Sequence, residues 1–270
     1  MLASIAALVR RAVVLGCKVR TVRYVVGDRI GRTDFFRNAA FLSVLVQLLR
    51  SEKAPRVLVH AAAVGAEPYS LVMAARLAGL DEIRAEATDI EPSFLEMARR
   101  GVYSDDCLAK VPAEAKVFFL PGPERGTVEI APAIRSSVQF LPPASFVDFE
   151  ASHVYDAVLA LNALTYVSRS DQHKAIVRMG GYARHYLGLT AASPVIIKQA
   201  VGDADFEPLE GHNWLKVYYG WRDRIRMRPG QREWALPVLP FLMHDWRFSA
   251  RSIFRRRPGT APQLSSSSAA

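Results

Sequence analysis

Between residues 56 and 101 the chain passes twice through one local pattern: a short β-rich run, a brief connection and a helical stretch. Arg56 to Ala62 is the first β-rich run, followed by Gly65 and a helical segment that starts at Pro68, reaches Leu77 and ends near Gly79. Proline suits a first helical turn and glycine a helix end. Glu82 to Asp89 then reads as a second strand, and Glu91 to Arg100 as a second helix stopped by Gly101. Two such units in succession predict parallel strands joined by right-handed crossovers, hence an α/β, doubly wound, Rossmann-like sheet of the kind that holds a nucleotide cofactor. The reading continues with a core strand at Val154 to Leu161, a helix at Asp171 to Leu187, a fourth strand at Pro194 to Val201 and a last edge strand at His212 to Trp221.

The remaining segments divide around this frame. Residues 1–50 show apolar spacing of helices, with Leu2, Ile5, Leu8, Val9 and Val13 on one face and Phe41, Leu42, Val44, Leu45, Leu48 and Leu49 on another. Residues 51–220 form the α/β domain, interrupted at 104–150 by a proline-rich excursion of short β-like runs such as Lys116 to Leu120 and Ser137 to Leu141. Residues 221–257 read as a basic appendage and 258–270 as a Pro/Ser/Ala-rich disordered tail.

Composition narrows the setting. Cys17 and Cys107 make no disulfide framework or metal spacing, and the six histidines form no spaced ligand set, so a cytoplasmic protein without a metal is expected. The apolar opening Met1 to Gly16 is broken by Arg10 and Arg11 and falls short of the ~20 residues a spanning helix needs; it reads as an amphipathic helix that could lie on a membrane surface but not cross it. The net charge of +9 is concentrated: residues 1–60 hold 11 basic and 3 acidic side chains, residues 221–257 hold 10 and 3. Such ends steer acidic partners toward the protein, an acidic protein surface or receptor helix being the favoured kind. The tryptophans among the arginines read as packing rather than base stacking, which disfavours nucleic acid.

Ligands of doubly wound sheets sit beyond the carboxyl ends of the strands, where strand order reverses. Three loops fall at such ends. Ala63 to Ser70 offers Gly65, whose backbone can approach a cofactor, and Glu67, which can accept from an amine; Glu67 is equally suited to a helix start. Thr88-Asp89-Ile90 places an acid 24 residues after Gly65, the type and distance expected for holding ribose hydroxyls, though Asp89 could instead cap the next helix. Leu161-Asn162-Ala163 puts an amide at a strand end.

Thr33-Asp34-Phe35-Phe36-Arg37, Gly65-Ala66-Glu67-Pro68-Tyr69-Ser70-Leu71, Ala87-Thr88-Asp89-Ile90 through Gly101-Val102-Tyr103, and Tyr155-Asp156-Ala157-Val158 with Asn162 to Tyr166 and Gln172 together resemble the CheR family of chemotaxis receptor methyltransferases over about residues 30 to 200. The resemblance implies a class I methyltransferase sheet with a small β excursion, S-adenosyl-L-methionine as cofactor, S-adenosyl-L-homocysteine as product, and methyl transfer to a glutamate carboxylate. It implies that Thr33 and Arg37 lie at the cofactor's carboxylate end, Glu67 at its amino group, Asp89 with Ile90 at the ribose, and Asn162 with Ala163 at the adenosine. Arg37 could also orient the acceptor carboxylate and Tyr166 line the transfer channel, making these two the catalytic candidates. Phe35 and Phe36 read as core.

Within the motifs that carry the resemblance, the chain departs from the family's pattern in three places. The usual serine-threonine-glycine-glutamate-glutamate run is Ala63-Val64-Gly65-Ala66-Glu67, the asparagine two residues before the threonine is Gly31, and the arginine before the asparagine is Leu161. Three readings therefore stand: a methyltransferase acting on a protein carboxylate, one redirected to a small molecule or another acceptor, and a non-catalytic module that binds an acidic partner.

Overall fold

Arg23–Val26 (β1) and Arg29–Arg32 (β2) pair antiparallel at the start of the computed structural model, which describes residues 23–26, 29–190, 194–210 and 252–263. Ala39–Leu49 (α1) follows, and then the predicted alternation: Arg56–His60 (β3), Ala66–Leu77 (α2), Arg84–Thr88 (β4) and Pro92–Arg100 (α3). The excursion is a separate three-stranded antiparallel sheet of Val102–Ser104 (β5), Phe119–Pro121 (β6) and Thr127–Ile130 (β7), ordered β5-β7-β6, and Pro132–Arg135 (α4) leads the chain back. Val138–Phe140 (β8), Tyr155–Ala160 (β9), Arg169–Tyr182 (α5), Ala183–Leu189 (β10), Pro194–Asp203 (α6), Phe206–Pro208 (β11) and Ile253–Arg256 (β12) complete it.

Among the described residues seven strands form the main sheet, in the order β11-β12-β10-β9-β3-β4-β8. β8, β4, β3, β9 and β10 run parallel, and β12 is antiparallel to both β10 and β11. This is the doubly wound, Rossmann-like sheet expected from the repeated β-then-α pattern. Alternation along β3 divides its core: Val57 and Val59 pack with Phe41, Leu45 and Leu71, while Leu58 packs with Ile176, Met179 and Ile197. A central strand is thus buried on both faces, as its continuous apolar run requires.

Several expectations are corrected. Residues 23–26 and 29–32 hold the antiparallel pair β1-β2 where a helical segment was expected; the predicted apolar face at Phe41 to Leu49 is α1, and the Met1 to Gly16 helix lies outside the described residues. Ser137 to Leu141 contains β8, an edge of the main sheet rather than part of the excursion. The helix expected to reach Leu187 stops at Tyr182, and the next seven residues are β10. The strand expected at Pro194 to Val201 is α6: Ile197, Ala200, Val201 and Ala204 are buried at helical spacing, whereas Val195 is exposed, so burial on one face outweighs the β-branched run. The His212 to Trp221 strand lies outside the described residues.

The boundaries at 221–257 and 258–270 also change. Residues 253–256 are β12, inside the sheet, and residues 258–263 are ordered, with the Gln263 carbonyl so close over Gly181 that a Cβ there would lie 3.0 Å from it. Arg256 explains the docking: its guanidinium donates to the carbonyls of Ala183 at 2.7 Å, Arg184 at 3.2 Å and Gly180, and stacks 4.5 Å from the Phe206 ring centroid. The Gly180 and Ala183 carbonyls are among those that the end of α5 leaves without helical partners. Arg256→Ala is expected to lower stability by about 2–3 kcal/mol, the worth of charged hydrogen bonds plus the acceptors left behind, read as a reduced urea midpoint at unchanged slope.

Candidate cofactor site at the carboxyl ends of the strands

From β3 the chain winds outward to β4 and β8, then crosses back to β9 on the other side of β3. The order reverses between β3 and β9, and the crevice beyond their carboxyl ends is where such sheets take ligands. The three loops singled out in the sequence emerge at this edge: 61–65 after β3, 89–90 after β4 and 161–163 after β9.

Backbone strain is concentrated here. Ala61 (φ 52°), Ala63 (φ 47°) and Asn162 (φ 59°) are left-handed without being glycine, as is Phe36 (φ 53°) in the 33–37 segment. Each costs of order 1–3 kcal/mol and persists only where its surroundings hold it. The restraints are visible. Asp89 Oδ2 accepts from Ala63 N at 2.8 Å, the Val64 carbonyl accepts from the Tyr103 hydroxyl at 2.6 Å, Thr190 Oγ1 accepts from Asn162 N at 2.7 Å, and Ser70 Oγ accepts from Phe36 N at 2.9 Å.

Glu67 lies in the first turn of α2, 7% exposed, and accepts from Asn38 Nδ2 at 3.1 Å. Burial raises its pKa, and the opposing pulls of the Arg37 charge and the Asn38 amide are smaller. Asp89 is raised by burial too, against the amides of Glu91 and Ala63 that donate to it. Two desolvated carboxylates are therefore held just beyond the carboxyl ends of β3 and β4, where a cationic, hydroxyl-rich ligand would restore the solvation they lack. Asn162 Nδ2 is buried without a hydrogen-bond partner among the described residues, a donor held ready for a ligand acceptor. These residues fit S-adenosyl-L-methionine, an aminoacyl ammonium at one end and a ribose and adenine at the other.

The structure brings Arg37, Asn38 and Glu67 together, and Ala63 with Asp89. Thr33 is buried at 6%, Ala163 is buried beside Asn162, and Ile90 presents a half-exposed side chain after Asp89. Phe35 and Phe36 are core, as expected. At Gly65 a Cβ would lie 2.9 Å from Ala98 Cβ and 3.0 Å from Phe140 Cζ, so the residue also lets α2 pack against α3 and β8. Asp89 does not cap α3; Glu91 does, accepting from Ser93 N at 3.3 Å, while Asp89 Oδ1 accepts from Glu91 N. Tyr166 stands on the 3-10 turn Leu164–Tyr166, beyond the carboxyl end of β9, and is 66% exposed.

Asn38, Ser70 and Thr190 support the site but were not singled out for it. Asn38 adjoined Arg37 and could have been read with it; Thr190, 28 residues from its partner, gave no local signal. His60, at the end of β3, is held neutral by burial with its pKa lowered to about 3, its Nε2 2.9 Å from the Tyr182 hydroxyl. At the opposite edge of the sheet Glu52, Asp156 and His185 come within 4.8 Å of one another, a grouping that residue spacing did not reveal. Asp156 Oδ1 already takes the Arg184 guanidinium at 2.9 Å, so this group is an ion-pair network.

Residues 31–187 match the family model described as CheR methyltransferase, SAM binding domain. The chain is 30% identical over 158 residues to chemotaxis protein methyltransferase 2 of Pseudomonas aeruginosa, covering 54% of this chain and 56% of that protein. It is 28% identical over 169 residues to a chemotaxis protein methyltransferase of Vibrio anguillarum, covering 56% and 61%. The match thus spans little more than half the length of these relatives. Likeness of overall shape to solved structures is loose: for the N-methyltransferase NodS from Bradyrhizobium japonicum, in complex with S-adenosyl-L-homocysteine, the TM-score is 0.43 at 11% identity, over 82% of this chain and 86% of that one. No helix among the described residues is long and apolar enough to cross a membrane.

Proposed function

The chain belongs to the CheR methyltransferase family, and from that premise we propose that it binds S-adenosyl-L-methionine at the β3-β9 crevice and methylates a carboxylate oxygen, of a protein glutamate or a similar acceptor. The observation that carries the reading is that Glu67, Asp89 and the unsatisfied Asn162 amide all stand just beyond the carboxyl ends of neighbouring strands of one sheet. The cofactor supplies an electrophilic methyl group on a sulfonium.

Glu67 takes the amino group of the cofactor, Arg37 and Thr33 its carboxylate end, Asp89 with Ile90 the ribose, and Asn162 with Ala163 the adenosine. Held there, the cofactor would offer its methyl carbon to the acceptor carboxylate, the electron pair of the broken carbon–sulfur bond being left on sulfur. No proton moves, and a carboxylate is already ionised at neutral pH, so the protein supplies alignment and water exclusion rather than a general base. Arg37 can hold the acceptor carboxylate through a two-pronged hydrogen bond, and the exposed Tyr166 meets the acceptor as it enters. The strongly basic segments 1–60 and 221–257 favour an acidic protein segment as acceptor, met in the cytoplasm.

The test is calorimetric titration with S-adenosyl-L-methionine and S-adenosyl-L-homocysteine, followed by transfer of a labelled methyl group to protein acceptors. Micromolar binding, weakened about 10- to 100-fold in Arg37→Ala, and label released by mild alkali are expected. Absence of binding would sink the proposal, and alkali-stable label would move the acceptor away from carboxylates.

A further inference from the structure

The three-stranded excursion is joined to both flanks of the crevice. Its side chains reach the 33–37 segment twice. Lys110 Nζ lies 2.7 Å from Asp34 Oδ2, a pair of which only 26% and 13% of the side chains remain exposed. The Phe35 ring is wedged edge-on between Tyr103 of β5 and Phe119 of β6, each at 5.0 Å between centroids and at 88° and 84°. Tyr103, itself 4% exposed, also reaches the other loop, donating its hydroxyl to the Val64 carbonyl at 2.6 Å. One residue of the excursion therefore touches both the loop that ends in Glu67's helix and the segment that carries Arg37.

These two segments contain left-handed backbone at Phe36, Ala61 and Ala63. Strained loops relax unless something rigid holds them, and a small sheet with its own ladder is more rigid than a loop. We propose that the excursion sheet acts as a clamp on the cofactor crevice, with Lys110 and Tyr103 as positioning residues that hold Asp34 to Arg37 and Ala61 to Gly65 in their binding geometry. The cofactor part of this inference rests on the function proposed above; the clamp itself does not. By linkage, a ligand that favours the held geometry also steadies the excursion.

Amide hydrogen exchange on the full chain tests it without ligand. Lys110→Gln removes the ion pair and is expected to speed exchange in residues 33–38 by about 3- to 10-fold while β3 and β9 stay protected. Tyr103→Phe keeps the ring against Phe35 but loses the bond to Val64, and is expected to speed exchange in residues 61–66 and leave 33–38 unchanged. Both variants should bind S-adenosyl-L-homocysteine about 10-fold more weakly, and Asp34→Lys combined with Lys110→Asp should recover most of the loss seen in Lys110→Gln. Unchanged exchange in both segments, or a uniform rise across the whole sheet, would overturn the clamp. A wild-type protein that binds no S-adenosyl-L-homocysteine would strike the cofactor reading instead and leave the exchange pattern to decide.

Discussion

Glu67→Gln should raise the melting temperature of the ligand-free protein and weaken S-adenosyl-L-homocysteine binding about 30-fold or more. The two effects share one cause. Burial lifts the Glu67 pKa by more than Arg37 and Asn38 lower it. A carboxylate whose folded pKa lies above its unfolded value is a cost to the fold at neutral pH, and that cost disappears as pH falls through the folded pKa. Glutamine removes the charge and keeps an oxygen for the Asn38 amide. It cannot answer an ammonium, and losing one partner of a buried charge pair costs about 2–5 kcal/mol of binding. Thermal melts from pH 7 downward should show the variant more stable at neutrality and the difference closing on acidification; a wild type that melts higher at pH 7 would contradict the argument.

Gly65→Ala should destabilise the protein by roughly 2–5 kcal/mol, from about 1–2 for a left-handed alanine and about 1–3 for overpacking. At φ 88° the position already disfavours a side chain, and the added carbon would press on Ala98 and Phe140, both fixed in packed elements. Gly79→Ala separates the two terms. Gly79 has φ 76° but nothing within 4 Å of its Cβ position, so its variant should lose only the conformational part. Denaturant titrations that gave equal losses for the two variants would remove the packing term.

What the sequence made legible was local. Val57 to Val59 followed by Gly65, and Ala85 to Ala87 followed by Asp89, carry strand, turn and helix signals within a few residues, and β3 through α3 followed within about two residues of expectation. The position of Glu67, Asp89 and Asn162 beyond strand ends was legible because strand ends and residue types suffice to nominate them. β10 was not: Arg184, His185 and Tyr186 are polar or half-exposed, and their neighbour on one side, β12, is contributed by residues far along the chain. α6 was misread because Val195-Ile196-Ile197 has strong strand propensity, while its helical spacing of buried residues becomes decisive only once α5 supplies a surface to cover. The restraints on Ala63 and Asn162 were hidden for the same reason, since Asp89 and Thr190 lie 26 and 28 residues away.

β12 sits between β10 and β11 although residues 209–252 intervene between β11 and β12. During synthesis the ribosome must therefore deliver the cofactor loops, β10 and β11 well before the strand that joins the last two. Until Ile253 to Arg256 emerges, β10 offers an unpaired edge on that side, the kind of surface that templates association between chains. The nascent protein is thus exposed to aggregation in the interval before β12 emerges, when the chemistry-bearing half of the sheet has already been made.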